Sequence, residues 1–240
     1  MKIEILKNYE EVLDRAFEIV SQAVRKNPDV VLGLPTGETP IGLYDRLSEA
    51  CRDHRLSLAG VTTFNLDEYL PIRPENEQSY RCFMNKMLFL NTDIPLSQTH
   101  VPEGDAADPE LAARRYEQAI RDAGGIDLQV LGSGRNGHVG FNEPGTSFDS
   151  ETHTVSLTES TIDANARLFH DRSEVPTRAV TMGIGTILRA RSILLLVTGK
   201  EKHEALGALL SGKETEEWPL TALLRHDDVT VLCDQDAFGG

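Results

Sequence analysis

Short apolar runs alternate with stretches of helical period along almost the whole chain, and no other feature constrains the fold as much. The runs cover residues 3–5, 30–34, 61–66, 128–131, 153–157, 179–182, 193–198 and 229–233. Between the first two, Val12, Leu13, Ala16, Phe17, Val20 and Ala23 recur at spacings of three and four, which predicts an amphipathic helix stopped by Asn27-Pro28. Similar patterns predict helices over 41–51, 79–90, 111–123 and 201–210. Strand, helix and strand in repetition imply parallel strands joined by right-handed crossovers. Ile193-Leu194-Leu195-Leu196-Val197 is apolar at every position, as expected of a central strand covered on both faces. The expected architecture is therefore α/β, a three-layer sandwich with a mostly parallel, Rossmann-like central sheet and helices on both faces. No repeat, low-complexity tract or Pro/Gly/Ser linker divides residues 1–240, so one domain is expected, with 91–108 as a surface connection.

Charge and cysteine usage exclude several roles. The 240 residues carry 24 Lys and Arg against 38 Asp and Glu, a formal charge of −14. Such a chain repels phosphate backbones and anionic membranes, so neither nucleic acid nor membrane is an expected partner. Any anionic ligand must be held by a few local cations and backbone amides. Cys51, Cys82 and Cys233 are odd in number and form no CxxC pair, arguing against disulfides and zinc ribbons. The seven histidines show no HExxH spacing, so no metal is expected. No signal-type h-region follows Met1, and no stretch approaches the ~18 apolar residues of a membrane span. A soluble cytoplasmic protein is expected.

In a doubly wound sheet the chemistry lies in the loops after the strands. After 30–34 comes Pro35-Thr36-Gly37-Glu38-Thr39-Pro40, in which Thr39 is expected as N-cap with Pro40 at the first helical position. The amides there would form an anion site, although the segment is equally consistent with a tight turn needing Gly37. After 61–66 come Asp67 and Glu68 between apolar neighbours. Either carboxylate suits a general base whose pKa is set by burial, or a cap for the next turn; spacing alone admits both.

The loop after 128–131 is the most informative. Gly132, Gly134 and Gly137 superficially match a dinucleotide fingerprint, but Gly140, Pro144 and Gly145 would break the long helix that the fingerprint requires. The loop offers instead Asn136, His138 and Glu143 within one compact stretch of five glycines. An imidazole near a carboxylate suits proton shuttling near neutral pH, against the alternative of a hydrogen-bonded loop histidine.

Together these loops resemble the glucosamine-6-phosphate deaminase family, also called glucosamine-6-phosphate isomerase. The resemblance runs through Gly33-Leu34-Pro35-Thr36-Gly37-Glu38-Thr39-Pro40, Phe64-Asn65-Leu66-Asp67-Glu68-Tyr69 and Gly137-His138-Val139-Gly140-Phe141-Asn142-Glu143-Pro144-Gly145. It continues through Asn165-Ala166-Arg167-Leu168-Phe169, Thr181-Met182-Gly183-Ile184-Gly185-Thr186 and Gly199-Lys200-Glu201-Lys202, spanning essentially the chain. What it implies is conversion of glucosamine 6-phosphate and water to fructose 6-phosphate and ammonia without metal or organic cofactor. By the same resemblance Asp67 is the base for enolisation and His138 the base for ring opening, with Glu143 and Asn136 assisting. Some relatives carry aspartate at the position of Asn136; an amide cannot exchange a proton in that way, so an orienting role is expected. Arg167 and Lys202, with the turn Thr36, Gly37, Glu38 and Thr39, would bind the sugar phosphate. Glu38 departs from the glycine or serine of some relatives and puts a negative charge beside that phosphate.

Larger members of the family form hexamers activated by N-acetylglucosamine 6-phosphate through basic residues after the Asn-Glu-Pro segment and a longer tail. Residues 146–155 contain no Arg or Lys, so an unregulated monomer is expected, a homo-oligomer remaining open. Residues 153–176, polar and carrying Arg167, are the expected lid. The alternatives are a hydrolase resembling 6-phosphogluconolactonase, disfavoured by Asp67-Glu68-Tyr69 and Asn142-Glu143-Pro144, and a sugar-phosphate sensor without turnover, disfavoured by retention of Asp67, His138 and Glu143.

Overall fold

The computed structural model describes residues 1–239, except for the side chains at 160, 164, 165 and 168. Gly240, the last residue of the expected domain, and the side chains of Asn165 and Leu168 in the Asn165–Phe169 motif therefore lie outside the described residues. In chain order the elements are β1 (Lys2–Leu6), α1 (Tyr9–Lys26), β2 (Val31–Leu34), α2 (Ile41–Arg52), β3 (Thr62–Asn65), β4 (Asp67–Leu70), α3 (Tyr80–Met87), β5 (Thr99–His100) and α4 (Pro109–Asp122). There follow β6 (Leu128–Gly132), β7 (His153–Ser156), α5 (Glu159–Asn165), β8 (Arg178–Thr181), α6 (Ile184–Leu188), β9 (Ser192–Val197), α7 (His203–Leu210), β10 (Val229–Asp234) and α8 (Gln235–Gly239).

Seven strands form one sheet in the order β1-β10-β9-β6-β2-β3-β5, and every neighbouring pair is parallel. The alternation of strand side chains explains the unbroken apolar runs. Leu194 and Leu196 of β9 join Leu32, Leu34 and Val130 against Val12, Leu13, Ala16 and Val20 of α1 and Leu43 and Leu47 of α2. Ile193, Leu195 and Val197 face the opposite layer, with Leu131 and Val231 against Tyr116 and Ile120 of α4 and Leu206 and Leu209 of α7. The Val, Leu and Ile side chains among these are at most 5% exposed, and burial of each is worth roughly 1.5–3 kcal/mol. The helices begin where the chain offers a cap: Asn8 accepts from the Glu11 amide, Ser79 from Cys82, and Asp108 from Leu111 with Pro109 following.

Three expectations need correction. Residues 153–157 and 179–182 do not join the central sheet; β7 and β8 form with β4 a separate antiparallel sheet in the order β4-β8-β7. The Asp67-Glu68-Tyr69 segment is accordingly a strand of that sheet and not a loop. The connection 91–108 also contributes β5, which pairs with β3 at the sheet edge. Among the described residues no helix is long and apolar enough to cross a membrane.

Candidate active site

The strand order sets β9, β6, β2 and β3 side by side. From β2 the chain winds outward through β3 and β5, then returns to lay β6 against the other side of β2 and continues to β9 and β10. The winding reverses between β2 and β6, the switch point beyond whose carboxyl ends sheets of this kind bind their ligands. Residues 35–40 follow β2, 133–143 follow β6, Asp67 follows β3 after Leu66, and Lys202 follows β9. The candidate residues separated in sequence thus share one end of the sheet.

The adjacent carboxylates have different environments. Glu68 is buried and caps α3: Oε1 accepts from the Tyr69 and Tyr80 amides at 2.9 Å each, and Oε2 from the Arg81 amide at 3.0 Å. Asp67 is 5% exposed and its Oδ1 has no hydrogen-bond partner. Its Oδ2 approaches the backbone of Gly140, where a Cβ would come within 3.2 Å of it and 2.9 Å of Thr181 Oγ1, at a φ of +59°. Glycine at 140 therefore lets the loop after β6 close onto Asp67. Burial, and secondarily the neighbouring Glu68 charge, pushes the Asp67 carboxyl up to about 8. Burial also raises Glu68, to about 7, against the lowering effect of its three amide donors.

Glycine has the same use beneath the histidine, since a Cβ at Gly134 would lie 2.1 Å from the His138 ring. The imidazole lies across that position. Its Nδ1 is 2.7 Å from Asn136 Oδ1, while Asn136 Nδ2 donates to Glu143 Oε2 at 2.7 Å. Because the Asn136 amide group gives its hydrogen to the carboxylate, its oxygen faces the ring and must accept. Nδ1 then carries the proton and the Nε2 lone pair is left for a ligand. Glu143 Oε2 also lies 3.8 Å from His138 Nδ1. Burial lowers the His138 pKa, Glu143 opposes this and nearby Lys202 lowers it further, so the ring is neutral at physiological pH.

On the β2 side the backbone of Gly37 has φ +91°, and nothing lies within 4 Å of a Cβ built there, so glycine is required by conformation alone. Pro40, not Thr39, occupies the N-cap of α2, in a right-handed conformation with no side-chain cap bond. Thr39 contributes its carbonyl instead, accepting from the Tyr9 hydroxyl at 3.1 Å. The amides of Gly37, Glu38 and Thr39 have no partner among the described residues. Arg167 reaches this turn from beyond α5, and its Nη2 lies 2.7 Å from Glu38 Oε1. Lys202 is half-buried; desolvation lowers its pKa, with Glu201 and Glu38 raising it and Arg135 lowering it. Arg135 is thus a further cation at this end. Sequence reasoning missed it, though its position inside the Gly132–Gly137 turn was a signal.

Thr161 of α5 also escaped notice. Its hydroxyl donates to Glu143 Oε1 at 2.8 Å, a contact across 18 residues for which local pattern gives no sign.

The sheet and its switch point define a doubly wound α/β fold, and the family model described as glucosamine-6-phosphate isomerases/6-phosphogluconolactonase matches residues 7–232. A glucosamine-6-phosphate deaminase of Oceanobacillus iheyensis is 49% identical over 237 residues, covering 99% of this chain and 95% of the relative. The solved structure of a monomeric glucosamine-6-phosphate deaminase superposes with a TM-score of 0.97 at 46% identity, covering 100% of this chain and 99% of that one. A 6-phosphogluconolactonase from Leishmania guyanensis shares the fold, with a TM-score of 0.77, at 23% identity over 100% of this chain and 98% of that one. The chain belongs to the glucosamine-6-phosphate deaminase family.

Proposed function

We propose that the protein converts glucosamine 6-phosphate and water to fructose 6-phosphate and ammonia, an aldose-ketose isomerisation with deamination. The observation that carries this reading is a buried carboxylate with an unpartnered oxygen, Asp67, at the same sheet end as a histidine whose Nε2 is left free by the Asn136–Glu143 relay. His138 takes the proton of the anomeric hydroxyl and delivers it to the ring oxygen as the C1–O bond breaks, giving the aldehyde. Asp67 removes the C2 proton, the electron pair moves into a C1–C2 double bond, and O1 takes a proton from the substrate's own C2 ammonium group. Return of the proton from Asp67 to C1 leaves an imine at C2, which water hydrolyses to ketone and ammonia. Arg167, Lys202 and the amides of Thr36, Gly37, Glu38 and Thr39 receive the phosphate. Residues 153–176 act as a lid over it, and the whole chain works as one domain, as an unregulated monomer in the cytoplasm. Lack of regulation is supported at residues 146–155: Arg121 and Arg189, brought there by other parts of the chain, are engaged by Glu117 and Glu151.

Purified protein should release ammonia and fructose 6-phosphate in equal amounts from glucosamine 6-phosphate and no acid from 6-phosphogluconolactone above the spontaneous rate; the reverse preference would make the protein a lactonase. Since Asp67 must be ionised to take the C2 proton, kcat/KM should rise with pH through the range about 7 to 8, where the Asp67–Glu68 pair titrates. An acid limb near the ordinary carboxylate value would remove Asp67 as the base.

The Glu38–Arg167 ion pair places a carboxylate where the substrate phosphate must go. Exposed pairs of this kind are worth roughly 0.2–1 kcal/mol. Glu38→Gln should therefore lower KM by about 2–5-fold, whereas Arg167→Ala should raise it by tens of fold through loss of a charge-assisted phosphate contact. Steady-state kinetics of the two variants checks both signs.

A further inference from the structure

The segment 153–176 touches the loops after β2 and β6 and strand β4 of the candidate site. Arg167 pairs with Glu38 of the loop after β2, and the Phe169 ring packs edge-on against Tyr69 of β4 with centroids 5.9 Å apart. Thr161 of α5 makes the third contact, and it alone reaches a group assigned to the chemistry. A threonine hydroxyl has one proton. Thr161 spends it on Glu143 Oε1, and the Thr158 hydroxyl lies 2.9 Å from the Thr161 hydroxyl. Thr158 also caps α5 by accepting from the Thr161 amide, which fixes the register of the hydroxyl on the helix. The two oxygens of Glu143 are thereby held by different parts of the molecule. Oε2 is held by Asn136 from within its own loop, and Oε1 by a helix of the proposed lid. The chain of bonds runs from Thr158 through Thr161, Glu143 and Asn136 to His138 Nδ1, each link polarising the next.

We propose that Thr161 is a positioning residue for ring opening: its hydroxyl locks the Glu143 carboxylate that orients Asn136 and His138, and makes ring opening depend on the seating of the segment that brings Arg167 to the substrate phosphate. The proposal rests on the deaminase reading.

The test compares Thr161→Val, which keeps the shape and removes the hydroxyl, with Thr161→Ser, which restores it, and Thr161→Ala. Thr161 is only half-buried, so the variants should fold, and thermal midpoints check that they do. With glucosamine 6-phosphate as substrate, Thr161→Val and Thr161→Ala should lower kcat about 10–50-fold, the range of one hydroxyl-to-carboxylate bond, with KM within 3-fold of the parent. Thr161→Ser should return kcat to within 3-fold. Wild-type kcat in Thr161→Val, a raised KM at unchanged kcat, or a Ser variant as slow as the Val variant would each overturn the proposal. Absence of ammonia release by the parent enzyme would instead overturn the functional reading on which it rests.

Discussion

Asp67→Asn should abolish turnover and at the same time make the protein more stable. The amide has nearly the shape of the carboxylate but no basicity, and general bases of this kind contribute typically ~10²–10⁴-fold to rate. Loss of kcat by at least about 10³-fold is expected, with exchange of the C2 proton lost in parallel and KM little changed because the phosphate contacts remain. The stability gain follows from the same burial. The folded state holds the Asp67 carboxyl at about 8, far above its unfolded value, so ionisation is more costly in the folded protein than in the chain. That cost is absent below about pH 4, where both states are protonated. It grows as pH rises from about 4 to 8 and is fully present above 8. Asparagine removes it. A gain of a few kcal/mol at pH 8 is expected, each kcal/mol raising the thermal midpoint by roughly 2–4 °C in a protein of this size. The difference should vanish near pH 4. An inactive variant with an unchanged midpoint at pH 8 would mean that Asp67 is not dry, and a variant with wild-type activity would displace it from the chemistry.

The second large effect concerns ring opening. His138→Gln keeps a polar side chain over Gly134 but cannot shuttle a proton between the anomeric hydroxyl and the ring oxygen. A fall of about 10²–10³-fold in kcat/KM is expected. The residual reaction should differ in kind from that of Asp67→Asn. Asp67 remains able to act on whatever aldehyde forms spontaneously in solution, so at high enzyme concentration the rate should level off at the rate of uncatalysed opening. Progress curves at increasing enzyme concentration measure this directly. Undiminished activity on the cyclic sugar would reduce His138 to a structural loop residue, and a residual rate that kept rising in proportion to enzyme would show that opening is catalysed by another group.

The sequence already disclosed the parallel sheet, because strands covered on both faces must be apolar at every position, as 193–197 are. It disclosed the functional end of the sheet too, since chemistry-bearing residues stood directly after such strands. Local pattern could not reveal β4. Asp67 and Tyr69 alternate with Glu68 and Leu70, yet all four are buried, so no polar face marks the strand. Its partner β8 lies more than a hundred residues away, and the antiparallel pairing depends on contacts that the local sequence does not encode. The choice between base and cap was likewise undecidable from spacing: only the position of α3 shows that Glu68 takes the three amides and leaves Asp67 Oδ1 without a partner. At α2 the expected Thr39 cap failed because Pro40 itself adopts the cap position. Thr161 and the Glu38–Arg167 pair were hidden for a third reason, as each is a polar side chain in a polar segment whose partner is remote.

The central claim is that one dry carboxylate moves the proton between C2 and C1. Glucosamine 6-phosphate carrying deuterium at C2, turned over in ordinary water, tests it most directly through NMR of the fructose 6-phosphate formed. Asp67 is 5% exposed, so a hydron taken from C2 exchanges slowly with solvent before it is returned. A substantial fraction of the deuterium should therefore appear at C1 of the product, on one face only. Deuterium lost entirely to water, or distributed over both faces of C1, would contradict a single buried base and with it the role given to Asp67.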